Sequence, residues 1–369
     1  MTWQILDSDY EQAKITVIGI GGGGGNSVSH MIKSGIKGVN FICANTDAQD
    51  LSKIHSAKKI ILGQELTKGL GAGNDPEKGK AATEESIEEI KEHLENTEML
   101  FVIAGMGGGT GTGGAPVVAR LARDMGILTV GIVTRPFKHE GEKRAMQAKQ
   151  GIGNLVLHVD SLIQIKNETI FQVFSEDVDF MEGFAAVDGV LTNALKSVTN
   201  VILNDKSKMN IDFADIKAAM SDSGVGIMCY GTATGPNRAA EAVSNALNNP
   251  FFDQAEIKNA KGLIVNICAA SLDNKEIQEI MNSAKSIGKE GIEAISGLMI
   301  DKSYGDEISV TIIATGLRKW DLDDWSRPIS GYVPVSPMNG DASTNSEGYV
   351  NLNNLRKIDI KETLRRLKD

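Results

Sequence analysis

The chain is poor in cysteine, proline, aromatic residues and positive charge. Of 369 residues, three are Cys, eight are Pro and 5% are aromatic, and 38 Lys and Arg face 48 Asp and Glu for a formal net charge of −10. Cys43, Cys229 and Cys268 each lie in apolar, strand-like context without CxxC spacing, which excludes a disulfide scaffold and points to buried, reduced thiols in the cytoplasm. The acidic excess argues against broad nonspecific binding to nucleic acid or to an anionic membrane surface. No apolar run approaches the roughly 18 residues of a membrane span, and MTWQILDSDYEQAK carries acids where a signal peptide needs a basic region, so neither insertion nor export is expected. GxxxxGK[ST] is missing, which rules out a P-loop, and so is GxSxG. The five histidines are scattered without metal-ligand spacing, and His139 beside Glu140 reads as a solvated helix start. No metal site built from side chains is expected.

What is plentiful is glycine, 40 residues of it, set into ordinary globular composition with 41% hydrophobic residues. Apolar, β-rich runs near Lys14 to Ile20, Val39 to Ala44, Met99 to Ala104, Ile127 to Thr134 and Val159 to Lys166 alternate with helical patterns, which implies βαβ units and a parallel sheet. From Asp177 to Asn204 the residues Phe180, Phe184, Val187, Leu191, Leu195, Val198 and Ile202 recur at helical spacing and predict one long amphipathic helix. Strands near Ile227, Leu263 to Cys268, Ile292 to Ile300 and Ile308 to Thr315 then predict a second, smaller α/β domain. Beyond Leu317 periodicity fades and three of the eight prolines appear, as in a mobile linker. Ile360, Leu364 and Leu367 then return at i, i+4 and i+7 in a short helix suited to docking.

Three glycine clusters concentrate the chemistry. Gly19, Gly21 and Gly24 satisfy GxGxxG between a strand and a helix. A dinucleotide site wants an acid about 20 residues on, and Asp47 comes 28 residues after Gly19, so a plain tight turn stays open beside a cofactor loop. MLFVIAGMGGGTGTGGAP, from Met99 to Pro116, is barer: successive backbone N–H groups can converge on an anion, a helix starting near Gly113 adds its dipole, and Thr110 and Thr112 offer hydroxyls. A β-carbon at Gly108 or Gly109 is expected to block that approach. The third cluster, Gly69 to Gly73, precedes Asp75 as an N-cap and Pro76 as a first-turn residue. Three loops at one sheet end suit a polyphosphate, and the cradle has no lysine.

GGGTGTG (Gly107 to Gly113), GGGGGN (Gly21 to Asn26), NTDAQ (Asn45 to Gln49) and NIDFAD (Asn210 to Asp215), in that order, resemble the FtsZ family of tubulin-like bacterial division GTPases from about Lys14 to Gly316. The resemblance implies a tubulin-like α/β fold: a Rossmann-like GTP-binding domain with a parallel sheet at 14–176 after a 1–13 tail, a central helix at 177–204, and a catalytic loop with a short helix at 205–221. A C-terminal α/β domain at 222–316, a linker at 317–357 and a partner-binding peptide at 358–369 complete the expected organisation. It further implies GTP or GDP as ligand, with Mg2+ held mainly through the phosphates, and cytoplasmic assembly at the midcell division ring.

Carried over residue by residue, the resemblance gives Gly21, Gly22, Gly23, Gly24 and Gly25 contact with the phosphates. Gly107, Gly108, Gly109, Thr110, Gly111, Thr112 and Gly113 cradle them, and Gly71, Ala72 and Gly73 flank the γ-phosphate, with Asn45 in the same pocket. Glu140 and Arg144 contact ribose and base, while their plainer reading is an i, i+4 ion pair on a helix. Asn26, Asn167, Phe184 and Asp188 choose the base; the Asp188 carboxylate accepts from guanine N1–H and its 2-amino group and faces the lone pair of adenine N1. Phe184 read from spacing alone is equally a core residue. Asp212 and Asp215, supported by Asn210, complete hydrolysis in the pocket of the next subunit. From sequence alone Asp212 reads as an N-cap and Asp215 as a surface acid. Expected partners are further copies of the chain, head to tail, and membrane-tethering and regulatory division proteins at the tail, where Ile360-Lys-Glu-Thr departs from the family's usual proline and aromatic. Two other readings stay open here: a dehydrogenase using Gly19 to Gly24, and a nucleotide-gated structural protein without turnover.

Overall fold

The computed structural model describes residues 13–169 without a break, the segments 213–221, 224–248, 262–286 and 294–316, and shorter pieces between 188 and 209 and around 260 and 292. The expectations for the N-terminal tail, Phe184, Asn210, Asp212, the linker and the C-terminal peptide lie outside the described residues.

Seven parallel strands form the first sheet in the order β3-β2-β1-β4-β5-β6-β8. They are β1 (Ile15–Ile20), β2 (Val39–Asn45), β3 (Lys58–Ile61), β4 (Met99–Gly105), β5 (Leu128–Arg135), β6 (Ser161–Lys166) and the two-residue β8 (Gly224–Val225). Side chains alternate across each strand, and that alternation sorts them into two cores. Ile15 and Val17 of β1 and Met99, Phe101 and Ile103 of β4 face one way, towards Val28 and Met31 of α1 (Gly21–Lys33) and towards Leu191 and Leu195. Ile18, Ile20, Leu100 and Val102 face the other, towards α4 (Pro76–Glu85), α5 (Ile87–Leu94), α6 (Thr110–Asp124) and α7 (Glu142–Leu155). Both faces are covered, so the strands read as nearly continuous apolar runs. Truncating Phe101, fully buried at the centre of β4, costs about 3–5 kcal/mol.

Residues 188, 189, 191–193, 195, 196, 199 and 202 are helical, the described part of the helix expected over 177–204. The second sheet follows in the order β7-β11-β10-β12-β9, with β7 (Ser207–Met209), β9 (Ile227–Ala233), β10 (Gly262–Ala269), β11 (Ala294–Ile300) and β12 (Ile308–Thr315). Only β10 and β11 pair in parallel; the other neighbours are antiparallel. Among the described residues three helices accompany it: α8 (Phe213–Met220), α9 (Arg238–Leu247) and α10 (Asn274–Lys285). α9 lies so close to β9 that a β-carbon on Gly231 would overlap the backbone of Ala242 and Ala246. Arg238, at the start of α9, donates to both carboxylate oxygens of Glu276 on α10, at 2.7 and 3.2 Å, and to the carbonyls of Ser271 and Asp306.

The strands read from hydrophobic runs all form, within a few residues of the expected ends. β3, β7 and β8 were not expected. β3 is four residues beginning Lys-Lys, and β7 and β8 are shorter still, so none carries an apolar run; pairing with a neighbour makes them strands. β8 comes after the central helical segment yet pairs with β6, so the chain returns briefly to the first sheet.

Candidate functional site

In an open parallel sheet the ligand crevice lies outside the carboxyl ends of the strands, where strand order reverses. Here that point falls between β1 and β4, and both glycine runs leave from it. Each runs directly into a helix, α1 at Gly21 and α6 at Thr110. The α6 start corrects the expectation of Gly113, because Gly111 and Gly113 belong to the first helical turn. Their bareness serves packing. A β-carbon on Gly113 would overlap the Pro76 carbonyl of α4, and one on Gly111 would sit 2.6 Å from the Gly105 carbonyl oxygen.

α1 and α6 share a further feature. Neither has a side-chain cap or an acid in its first turn, whereas each of the other α-helices with described bounds carries an Asp or Glu there. Two helix N-termini therefore present backbone N–H groups and the positive end of the dipole at one crevice, with no acid of their own first turns answering them; the Asp50 carboxylate of α2 (Ala48–Ser52) stands beside α1, 2.9 Å from where a Gly22 β-carbon would sit. The two loops touch: a β-carbon on Gly21, whose φ is +73°, would lie 3.0 Å from Gly111 N. Gly108, by contrast, faces open space, with Asn74 Oδ1 3.9 Å from where its β-carbon would sit.

Side chains brace the loops from beneath. Gly107 N donates to Thr112 Oγ1 at 2.8 Å, and the hydroxyls of Thr46 and Thr110 are 2.6 Å apart, tying the end of β2 to the start of α6. The third cluster does not leave a strand, as was expected, but joins α3 (Gln64–Thr67) to α4. Within it Lys68, Gly69, Gly71, Gly73 and Asn74 all have positive φ, and Gly71 N donates to Thr46 O. Asp75 caps α4 as expected, accepting from Glu77 N at 3.0 Å with Pro76 in the first turn. Gln147 of α7 donates to Asn74 O at 3.2 Å. Asn45, 5% exposed, accepts from Asp47 N and donates to Asp50.

Of the remaining expected residues, all but Asp215 lie near the ends of β5 and β6, on α1, or on the helical segment packed against it. Glu140 and Arg144 form the ion pair, although not along one helix: Glu140 ends a 3-10 turn at Lys138–Glu140, and Arg144 lies beyond Gly141 in α7. Arg144 O lies 2.9 Å from where a Gly107 β-carbon would sit, so α7 starts beside the cradle. Asn167, just after β6, is 7% exposed, and its Oδ1 has no hydrogen-bond partner among the described residues. Asp188, on the central helical segment, accepts from Ser27 Oγ at 2.6 Å. Burial pushes the Asp188 carboxyl above its usual range, and the Ser27 hydrogen bond and His30 oppose that. Asn26 is exposed at the end of the α1 glycine run. Asp215 is exposed on α8, whose Ile216 and Met220 are buried in the core shared with the second sheet; the described loops do not gather it.

Sequence reasoning did not single out Ser27, Thr46, Asn74 and Gln147. Thr46 stands inside the NTDAQ motif and Asn74 directly after the third glycine cluster, whereas Ser27 and Gln147 show their role only through partners distant in sequence.

Fold and family match together define a nucleotide-binding GTPase of the tubulin-like class. The GTPase domain of the tubulin/FtsZ family matches residues 14–175, and the C-terminal domain of the FtsZ family matches residues 224–318. The cell division protein FtsZ of Pseudomonas aeruginosa is 45% identical over 85% of this chain and 80% of its own length. That of Neisseria meningitidis serogroup A is 42% identical over 95% and 90%. The solved FtsZ of M. jannaschii, in a dimer, superposes with a TM-score of 0.80 at 36% identity, covering 89% of this chain and 96% of that one. The chain belongs to the FtsZ family: it is a GTP-hydrolysing cytoskeletal protein of cell division that polymerises.

Proposed function

We propose that the N-termini of α1 and α6 hold the phosphates of GTP, and that hydrolysis is completed between successive subunits of a protofilament. The single observation that carries this reading is the pair of acid-free, uncapped helix starts at the strand-order reversal, with Gly108 open above them. The Gly71–Asn74 loop sits opposite and meets the terminal phosphate. Asp188 accepts from the guanine N1–H and 2-amino groups, and the unpartnered Asn167 Oδ1 accepts from the ribose or base. Glu140 and Arg144 contact ribose and base at the mouth, as the family resemblance implies.

Among the described residues no three His, Cys, Asp or Glu cluster to hold a metal. Asp47, whose Oδ2 is 4.0 Å from where a Gly71 β-carbon would sit, supplies a hard oxygen beside the loop, which suits a magnesium ion entering with the nucleotide and held chiefly by phosphate oxygens. When bound, Mg2+ offsets charge on the transferring phosphoryl group.

Asp215 lies on α8, in the part of the chain after the central helix, and every glycine loop precedes that helix. If the helix runs over the expected residues, about 28, it is about 42 Å long. A neighbour stacked end to end brings its Asp212 and Asp215 to the γ-phosphate, where they orient the attacking water. Leu70, 84% exposed next to the Gly71 loop, gives such a contact an apolar anchor. Midcell placement, and recruitment of membrane-tethering and regulatory division proteins through residues 358–369, complete the proposal. None of the described helices is long and apolar enough to cross a membrane, so attachment through a bound tether fits them.

The experiment is sedimentation with phosphate release in GTP, GDP, ATP and NAD. GTP-dependent pelleting with turnover that rises steeply with protein concentration is expected. Turnover per subunit that ignores concentration refutes the shared site.

A further inference from the structure

Ser27 lies in α1, one turn beyond the exposed Gly23, and is 5% exposed. Its Oγ is 2.6 Å from Asp188 Oδ1 and 3.2 Å from Gly23 O. A serine has one hydrogen to give, and two acceptors wait for it. With Asp188 ionised, the hydrogen belongs to the carboxylate, the shorter and charge-assisted bond. Were Asp188 to take up a proton, its O–H would donate to Ser27 Oγ and the serine hydrogen would turn to Gly23 O. One side chain thus joins the base side of the crevice to the phosphate helix.

We propose that Ser27 is a specificity-determining positioning residue: by holding Asp188 Oδ1 it orients the carboxylate towards guanine and ties base choice to the phosphate-binding start of α1. The proposal rests on the reading of Asp188 as the guanine acceptor. A carboxylate offers about four lone-pair sites, so Oδ1 can keep the serine bond while the group receives two donors from the base. The serine bond also favours the charged form, and only the charged form accepts both guanine donors. Among the described residues the other charged group acting on Asp188 is His30, also on α1, with its Nδ1 3.1 Å from Thr192 Oγ1 on the helix that carries Asp188. The coulombic influence of His30 favours the carboxylate form of Asp188. Burial, the largest influence, works against it. Removing the hydroxyl leaves burial opposed by His30 alone.

The test measures affinities of the full chain for GTP, ATP and tripolyphosphate, by competition against a fluorescent GTP analogue between pH 5.5 and 8. The variants are Ser27→Ala, Ser27→Cys and Asp188→Asn. Alanine is the better helix former, so Ser27→Ala keeps the fold, and a thermal melt checks it. Losing a hydrogen bond to a charged group weakens GTP binding by about tenfold at pH 7. Tripolyphosphate, which reads the phosphate cradle alone, stays unchanged. The pH below which GTP affinity falls moves upwards, and Ser27→Cys, a weaker donor of similar shape, lies between. Equal losses for GTP and tripolyphosphate mean that Ser27 serves only the helix, which overturns the assignment. So does an unchanged GTP/ATP ratio and pH profile in Ser27→Ala while Asp188→Asn loses guanine selection. If Asp188→Asn keeps its guanine preference, the reading of Asp188 itself fails, separately from Ser27.

Discussion

Two glycines of one motif, five residues apart, respond oppositely to the same methyl group. In Gly108→Ala the new β-carbon meets nothing of the protein within 3.9 Å, and the backbone there is not in the left-handed region. Folding then changes only through the unfolded chain, which alanine stabilises against by about 0.4–1 kcal/mol, so the melting temperature holds or rises slightly. On the proposed reading of the cradle, nucleotide binding does change, because the methyl then stands where phosphate approaches the backbone N–H groups. Displacing one or two charge-assisted hydrogen bonds, each worth about 1.5–3 kcal/mol, weakens GTP and GDP at least about tenfold. In Gly113→Ala the β-carbon overlaps the Pro76 carbonyl and sits 2.6 Å from Lys80 N, so α4 and α6 must separate. Overpacking of that kind costs about 1–3 kcal/mol of stability. Calorimetric titration with GTP and GDP, paired with thermal melts, reads both effects. Wild-type affinity in a folded Gly108→Ala protein refutes the phosphate cradle, and an unchanged melt in Gly113→Ala refutes the packing argument. Gly109 does not separate the two effects, since its β-carbon would already press on Ala72 Cβ at 2.8 Å and Asp75 N at 2.9 Å.

Asp215→Ala is expected to bind GTP and polymerise but to release phosphate at least about tenfold more slowly, and to poison wild-type turnover when mixed with it. Absence of poisoning in a mixing series counts against completion in trans. Deleting residues 358–369 leaves GTP-driven sedimentation intact and abolishes recruitment to tethered partners on vesicles; loss of assembly refutes that division of labour. Arg238→Ala, at a side chain only 12% exposed, lowers stability by about 2–3 kcal/mol in denaturant titrations. The Arg238 hydrogen bonds hold the Glu276 carboxyl below its usual range. Their stabilisation is therefore present above the ordinary glutamate pKa and lost as pH falls through the folded value, so the acid limb of the variant's stability curve is shallower. A parallel limb in the two proteins contradicts this.

The sequence by itself determined the elements that carry their own signal. β1, β2, β4, β5 and β6 are apolar runs long enough to be strands in any register, and a sheet covered on both faces leaves them no other place. The glycine runs after β1 and β4 announce close backbone approach, because no other residue leaves that surface bare. The order of the motifs was enough to point to the family, since a motif is local. Tertiary structure alone decided what depends on contact between distant segments. β3 and β8 are strands only because β2 and β6 offer them a ladder. Whether a glycine faces open space, as at Gly108, or a neighbouring helix, as at Gly113, follows from what lies opposite, and the end of α4 at Glu85 is separated from the start of α6 at Thr110 by residues 86–109, of unrelated pattern. Ser27 and Asp188 stand 161 positions apart. Periodicity reports the face a side chain shares with its own element and nothing of the atom it meets, so only folding the two helices together could make that pair.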